Sequence, residues 1–232
     1  MWYLLQKDEM MDLWNTKLSI PIPSMDIVIF TIYKDKLCIV LDKYNSETES
    51  WYVLPGNILA WWYSLEENFD AILERKTGIT WIYKEQLYTF GDPKRDRRWH
   101  VMSISYYALV GGMEFINRID FTKADLVEYK SIETTSVLYD HKEIVKYARE
   151  RLKSKLMYTN IAKEILRNNF RLSELRRVYE ILLDKEIDKR NFQKKILKLW
   201  IIKETWELDK TTNRPAKLYT FVNKRIQEFD IF

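Results

Sequence analysis

The sequence predicts an α+β protein in two parts, and three observations carry that expectation. β-Branched runs gather in the first 110 residues around one amphipathic segment, without the regular strand–helix alternation of a parallel sheet. After residue 140 the pattern changes to helices. The charge changes with it. Residues 1–140 hold 15 Lys and Arg against 21 Asp and Glu, a net −6, whereas 141–232 hold 23 against 13, a net +10. Such asymmetry marks separate units, the second suited to a polyanion.

Taken in order, residues 25–41, MDIVIFTIYKDKLCIVL, are two β-branched runs joined by a short polar turn and read as a hairpin. WYVLPG, residues 51–56, adds a strand ending in Pro-Gly. SLEENFDAILERKTG follows as a helix, with Ser64 and Glu67 spaced as a capping box and Gly78 as the stop. Leu65, Phe69, Ile72 and Leu73 keep helical spacing within it. EQLYTF and HVMSISYYALV are strands again. Four helices are then expected: HKEIVKYARERLKSKL, TNIAKEILRNN, LSELRRVYEILLD and DKRNFQKKILKLW. The third carries the stripe Leu172, Leu175, Val178, Tyr179 and Leu182, and the fourth opens on Asp188 as N-cap. IIKETWELDKTTNRPAKLYTFV alternates, breaks at DKTTNRP and resumes, a two-stranded wing behind a helix-turn-helix.

Composition narrows the function classes. At 232 residues, with 47% hydrophobic and 31% charged residues, the chain can bury a sizeable core. Cys38 is the single cysteine, so no internal disulfide forms and a reducing compartment is expected. No apolar stretch approaches the roughly 20 residues that span a bilayer. The N-terminus carries acids in its first ten positions and lacks a basic n-region. A cytoplasmic protein with no membrane partner is expected. His100 and His141 lack zinc-site spacing, so neither a metal nor another cofactor is expected.

LPG, a helix ending in TGI, then QLYTFGDPKRD and VMSISYYALV resemble the Nudix fold, which implies an α/β/α sandwich. Anchored on Gly78-Ile79, the family's box places Asn57 at its glycine and Tyr63 at its first acid. Ala71 and Ile72 replace an Arg-Glu pair, and Arg75 and Lys76 replace the two metal-binding glutamates; Leu73, Gly78 and Ile79 keep the pattern. Magnesium needs carboxylate oxygens, and a phosphoanhydride needs the metal to neutralise developing charge. The substitutions therefore predict no catalytic residues, with Glu66, Glu67 and Glu74 as the acids left nearby. LSELRRVYE, DKRNFQKKIL and RPAKLY resemble the winged helix of the NrtR-type, Nudix-related transcriptional regulators. Arg171 stands where that family often has a capping hydroxyl. The resemblance implies a homodimer, a small-molecule effector (a sugar or an ADP-ribose-like metabolite) and double-stranded DNA with a palindromic operator. It also implies a non-catalytic sensor at 1–140, a linker helix at 141–157 and a winged helix at 158–232. A hydrolase of ADP-ribose or a related diphosphate is the alternative from another class. A winged helix that binds protein is a third.

The candidate ligand contacts are Asp26, Trp51, Trp61, Trp62, Asp92 and Arg95. Indole faces pack on sugar rings or bases, and the polar loop GDPKRDRRW offers hydroxyl contacts through Asp92, Arg95 and Asp96, or a phosphate clamp through Arg95, Arg97 and Arg98. Asp26, inside an apolar strand, needs a partner. On the fourth helix Phe192, Ile196 and Leu199 face one way, and Arg190, Lys194 and Lys198 face the other with Asn191 beside them. With Lys189, and with Lys210, Asn213 and Arg214 at the wing tip, these are the candidate DNA contacts.

Overall fold

The computed structural model describes residues 21–45, 50–78, 82–210 and 215–229. β1 (Ile22–Tyr33) and β2 (Lys36–Asn45) form the expected hairpin. Lys34 and Asp35 close it at φ 48° and 62°, two left-handed residues whose twist matches that of the strands. β3 (Ser50–Val53) pairs with β2, and β4 (Gly56–Ile58) with β1. β5 (Tyr83–Phe90) lies antiparallel to β6 (Val101–Leu109), and β6 runs parallel to β1. β7 (Ala124–Glu128), which the sequence pattern does not reveal, joins β2. The result is a mixed seven-stranded sheet with central path β3-β2-β1-β6-β5.

The connection from β4 to β5 carries α1 (Leu65–Thr77). Its capping box is made: the Ser64 hydroxyl accepts the Glu67 amide at 3.2 Å, and the Glu67 carboxylate accepts the Ser64 amide at 2.7 Å. Gly78 ends the helix at φ 64°. Phe69, Ile72 and Leu73 of α1 pack with Phe115 of the short α2 (Met113–Arg118) on Met25, Ile27 and Ile29. Val28 and Phe30 point to the opposite face, where α3 (His141–Tyr158) buries Ile144, Val145, Ala148 and Leu152. β1 is covered on both faces, so it reads as an unbroken apolar run rather than an alternating one. This is the α/β/α sandwich of the Nudix fold.

The winged helix follows as α4 (Leu172–Leu183), α5 (Lys189–Lys198), β8 (Ile202–Asp209) and β9 (Ala216–Phe221). The helix expected over TNIAKEILRNN is reduced to a 3-10 turn at Ile161–Glu164. Side-chain hydrogen bonds explain the difference. α3 stops at Thr159, extended at φ −136° and ψ 164°, and its hydroxyl donates to the Lys155 carbonyl at 2.7 Å. Buried Asn160 spends its amide on the C-terminal segment, donating to the Arg225 carbonyl and accepting the Gln227 amide. Helix entry at Arg171 needs no hydroxyl there. Glu174 accepts the Arg171 amide at 2.8 Å, and the Arg171 guanidinium is pinned to Asp209 at the end of β8.

One apolar cluster runs from Phe30 and Leu41 of the sheet through Ala148 and Leu152 of α3 to Leu175 and Leu182 of α4 and Phe192 of α5. The chain comes so close at Gly111 that a Cβ there would sit 1.9 Å from the Ile165 carbonyl oxygen. Among the described residues no helix is long and apolar enough to cross a membrane.

Candidate functional site

A cleft of about 910 Å³ opens between the β2–β3 edge, the 91–99 loop and the start of α3. Trp51, Tyr44 and Phe90 supply its aromatic walls, and Arg95, Arg97 and Arg98 its cations. A neighbouring cavity of about 480 Å³ shares Tyr44, Arg95, Arg98 and Tyr139 and reaches Asp26, Asn57 and His141. Four candidates thus meet here: Asp26, Trp51, Asp92 and Arg95.

Asp92 shapes the loop by accepting the Lys94 amide at 2.8 Å, while its carbonyl accepts the Arg95 amide. That turn buries Arg95 in the cleft. Its Nε and Nη2 donate to the two oxygens of Asp140 at 2.8 and 2.7 Å, and Nη2 also reaches Asp26 at 3.2 Å. Burial opposes the charge on Arg95, but Asp140 and Asp26 outweigh it and hold its pKa above the ordinary value. Asp26 therefore has the partner its position demanded. Gly56 makes room for it, since a Cβ at that position would lie 2.6 Å from the Asp26 carboxylate. His141, the first residue of α3, accepts the Leu54 amide at Nδ1 at 2.8 Å and turns Nε2 toward Asp26 at 3.5 Å. Burial pushes its pKa down, so it is held as the neutral ring. Arg98 grips Asp96 through two nitrogens and stacks over Tyr139 at 5.2 Å. The Arg98 hydrogen bond holds the Asp96 carboxyl below its usual range.

Trp61 and Trp62 lie elsewhere. They are 92% and 79% exposed and line neither cavity, so they are not walls of the cleft. Asn68 is the cause: it accepts the Ala60 amide and donates to the Tyr63 and Ser64 carbonyls, folding residues 60–64 onto the start of α1. Sequence reasoning missed Tyr44, Tyr139 and Asp140. The signal available for Asp140 was its place at the boundary where helix begins.

A metal does not fit the box helix. Arg75 stands on the ligand turn, and Glu67 is committed to the capping box. Among the described residues, no group of three or more His, Cys, Asp and Glu is placed to hold an ion. The Lys76 side chain lies outside the described residues.

On the winged helix, α5 buries Phe192 and Ile196 and exposes Lys189, Arg190, Asn191, Lys194 and Lys198. Asp188 caps it by accepting the Asn191 amide at 2.8 Å. None of Lys189, Arg190, Lys194 and Lys198 forms an ion pair with a described residue. On α4, by contrast, Arg176 pairs with Glu180 and Arg177 with Asp35. These four α5 cations are therefore available to an outside anion. Lys210 is exposed at the end of β8, while Asn213 and Arg214 lie outside the described residues.

A Nudix-like domain without its metal-binding acids, joined through one helix to a winged helix with an uncompensated cationic face, has the make-up of a ligand-sensing regulator. Comparison with known proteins gives the same class. Residues 162–221 match the family described as the NrtR DNA-binding winged helix domain. The chain is 28% identical over 216 residues, 90% of its length and 84% of the relative's, to the ADPR responsive transcriptional repressor NtrR of Acinetobacter baylyi. It superposes on Shewanella oneidensis NrtR complexed with a 27mer DNA at a TM-score of 0.77 and 28% identity, covering 85% of this chain and 92% of that one. Half of the chain, 115 residues, is 26% identical to an ADP-ribose pyrophosphatase of Methanocaldococcus jannaschii, covering 50% of this chain and 67% of that protein. In sequence over 90% of its length, and in fold, the chain is similar to the NrtR-type, Nudix-related transcriptional regulators.

Proposed function

We propose that the chain is a cytoplasmic DNA-binding repressor that senses ADP-ribose, or a closely related nucleotide sugar, in its Nudix-like cleft without hydrolysing it. In this reading residues 1–140 are the sensor, 141–157 carry its state, and 158–232 hold operator DNA. The observation that carries the reading is the seat of Arg95. This guanidinium lines the cleft and also fastens Asp140, the N-cap residue of α3. A diphosphate entering the cleft competes with Asp140 for its donors, because charge-assisted forks of this kind favour phosphate and carboxylate alike. Freed from Arg95, the start of α3 can shift, and α3 shares its core with α4. The ligand thus needs different affinities for two states of the chain, and the Arg95–Asp140 fork supplies the difference. The relative named as ADPR responsive supports ADP-ribose over a simple sugar.

The similarity to an ADP-ribose pyrophosphatase favours a second reading, hydrolysis of the same ligand. One experiment separates the two. Full-length protein is titrated into labelled DNA from its own upstream region, with and without ADP-ribose, and the ligand is then assayed for cleavage with Mg²⁺ and Mn²⁺. A shift in DNA affinity with intact ADP-ribose supports sensing. Turnover that disappears when Glu66, Glu67 or Glu74 becomes Gln overturns the non-catalytic part.

A further inference from the structure

A separate cavity of about 440 Å³ lies where the sheet, α3 and α4 meet, far along α3 from the Arg95 cleft. Leu37 comes from the sheet, Tyr129 from the segment after β7, Arg149 and Lys153 from α3, and Arg177 and Ile181 from α4. Arg149 decides its character. The side chain is 2% exposed, and its Nε and Nη1 have no hydrogen-bond partner among the described residues. The guanidinium carbon lies 5.5 Å from the centre of the Tyr129 ring. A ring face attracts the cation but does not accept the in-plane N–H groups in the fork geometry that guanidinium prefers.

Four of the five acids that line the cavity are already engaged, and the fifth, Glu186, is exposed. Glu128 takes Lys36, Asp184 takes Lys130 at 2.7 Å, Asp35 takes Arg177 at 3.5 Å, and Glu180 takes Arg176 at 2.9 Å. The Nε and Nη1 donors of Arg149 remain without an acceptor. A buried guanidinium keeps its charge, so donors without acceptors there invite an outside group that brings both acceptors and negative charge. An oxyanion with two oxygens in one plane meets both requirements.

We propose that this cavity binds a small oxyanion, a phosphate or a carboxylate, with Arg149 at its floor and Lys153 at its rim. The site joins the sensor sheet, the connecting helix and the reader, so a bound anion ties the three together. It stands apart from the effector cleft and does not depend on the identity of the ligand there.

The test uses the full-length protein in thermal unfolding with inorganic phosphate, succinate or sodium chloride at matched ionic strength. A bound oxyanion produces a saturable rise in Tm of about 5 °C at concentrations well above its Kd, beyond the chloride effect. Phosphate without succinate, or the reverse, assigns the anion class. Arg149→Met abolishes the saturable part and keeps the ionic-strength part; Lys153→Gln weakens the anion several-fold. Equal effects of all three salts on the wild type overturn the proposal, as does a saturable shift that survives Arg149→Met. If Arg149→Met does not fold, hydrogen exchange on the wild type decides instead. Anion-dependent protection at residues 149–153 and 177–184 supports the site, and protection confined to residues 92–98 places the anion in the Arg95 cleft and sinks it.

Discussion

Arg95 and Asp140 form a bidentate pair, with nitrogen–oxygen distances of 2.8 and 2.7 Å, between the loop that walls the cleft and the N-cap residue of α3. Forty-five positions apart in the chain, they tie the cleft loop to the cap of the connecting helix.

Asp140→Asn tests that tie. The variant keeps one acceptor for Arg95 but loses the charge, and Asp26 remains as a second partner. A cost of about 1.5–3 kcal/mol in chemical denaturation is expected, the range for one charged hydrogen bond. More informative is coupling: ADP-ribose should still bind, while its effect on DNA affinity falls. An unchanged effect on DNA, measured by anisotropy, removes Asp140 from the signal path.

His141 sets a pH dependence. Burial depresses its folded pKa below the ordinary 6.5, so the unfolded chain takes up a proton that the folded chain refuses. Stability from the neutral ring is fully present above about pH 6.5 and is lost as pH falls below it, at up to ~1.4 kcal/mol per pH unit. His141→Asn retains an acceptor for the Leu54 amide without that titration. Between pH 7 and pH 5.5 its urea midpoint should fall less than that of the wild type; parallel curves would falsify the assignment.

The tryptophans divide by position. Trp51 lines the cleft, so Trp51→Ala should weaken ADP-ribose by roughly 0.5–1.5 kcal/mol or more in calorimetry, the worth of an aromatic contact beyond its area. Trp61→Ala and Trp62→Ala, on exposed surface, should leave both ligand affinity and stability within about 0.5 kcal/mol. A large effect from either exposed indole would show that the bound state reaches beyond the cleft.

On DNA the α5 substitutions should separate by role. Arg190→Ala or Asn191→Ala, where the side chain reads a base, should cost about 1–3 kcal/mol and relax preference at one position per half-site. Lys194→Ala, directed at phosphate, should weaken all sequences alike and flatten the salt slope by about one unit. A two-fold dimer would read half-sites about one helical turn, or a multiple, apart. Binding that persists in the triple variant means the positive face is only solvated surface.

Local chemistry was legible in the sequence, and long-range pairing was not. Ser64, Glu67 and Gly78 announce α1 because caps act within a few residues. Phe192 and Ile196 against Arg190 and Lys194 announce the exposed face of α5 by helical period alone. β7 was missed because ADLVE becomes a strand only through the β2 edge, more than 80 residues away. Asp26 visibly needed a partner, yet nothing local says that Arg95 and His141 supply it. Trp61 and Trp62 looked like a cleft wall because apolar surface implies burial on average; Asn68 turns their loop outward.

The apolar cluster that crosses from the sheet through α3 into the winged helix has a consequence for grafting. A chimaera that carries this reader to another sensor cannot be spliced within α3, since Ile144, Val145 and Leu152 face the sheet while the same helix supports Leu175 of α4. Cutting at residue 158 would strand an oily helix face in water. Gly111 adds a shape requirement: a donor sensor needs a residue without a side chain where its last central strand meets the Ile165 carbonyl. The workable seam is therefore a matched surface rather than a point in the chain, and swaps within this architecture should succeed only when both sides of that surface travel together.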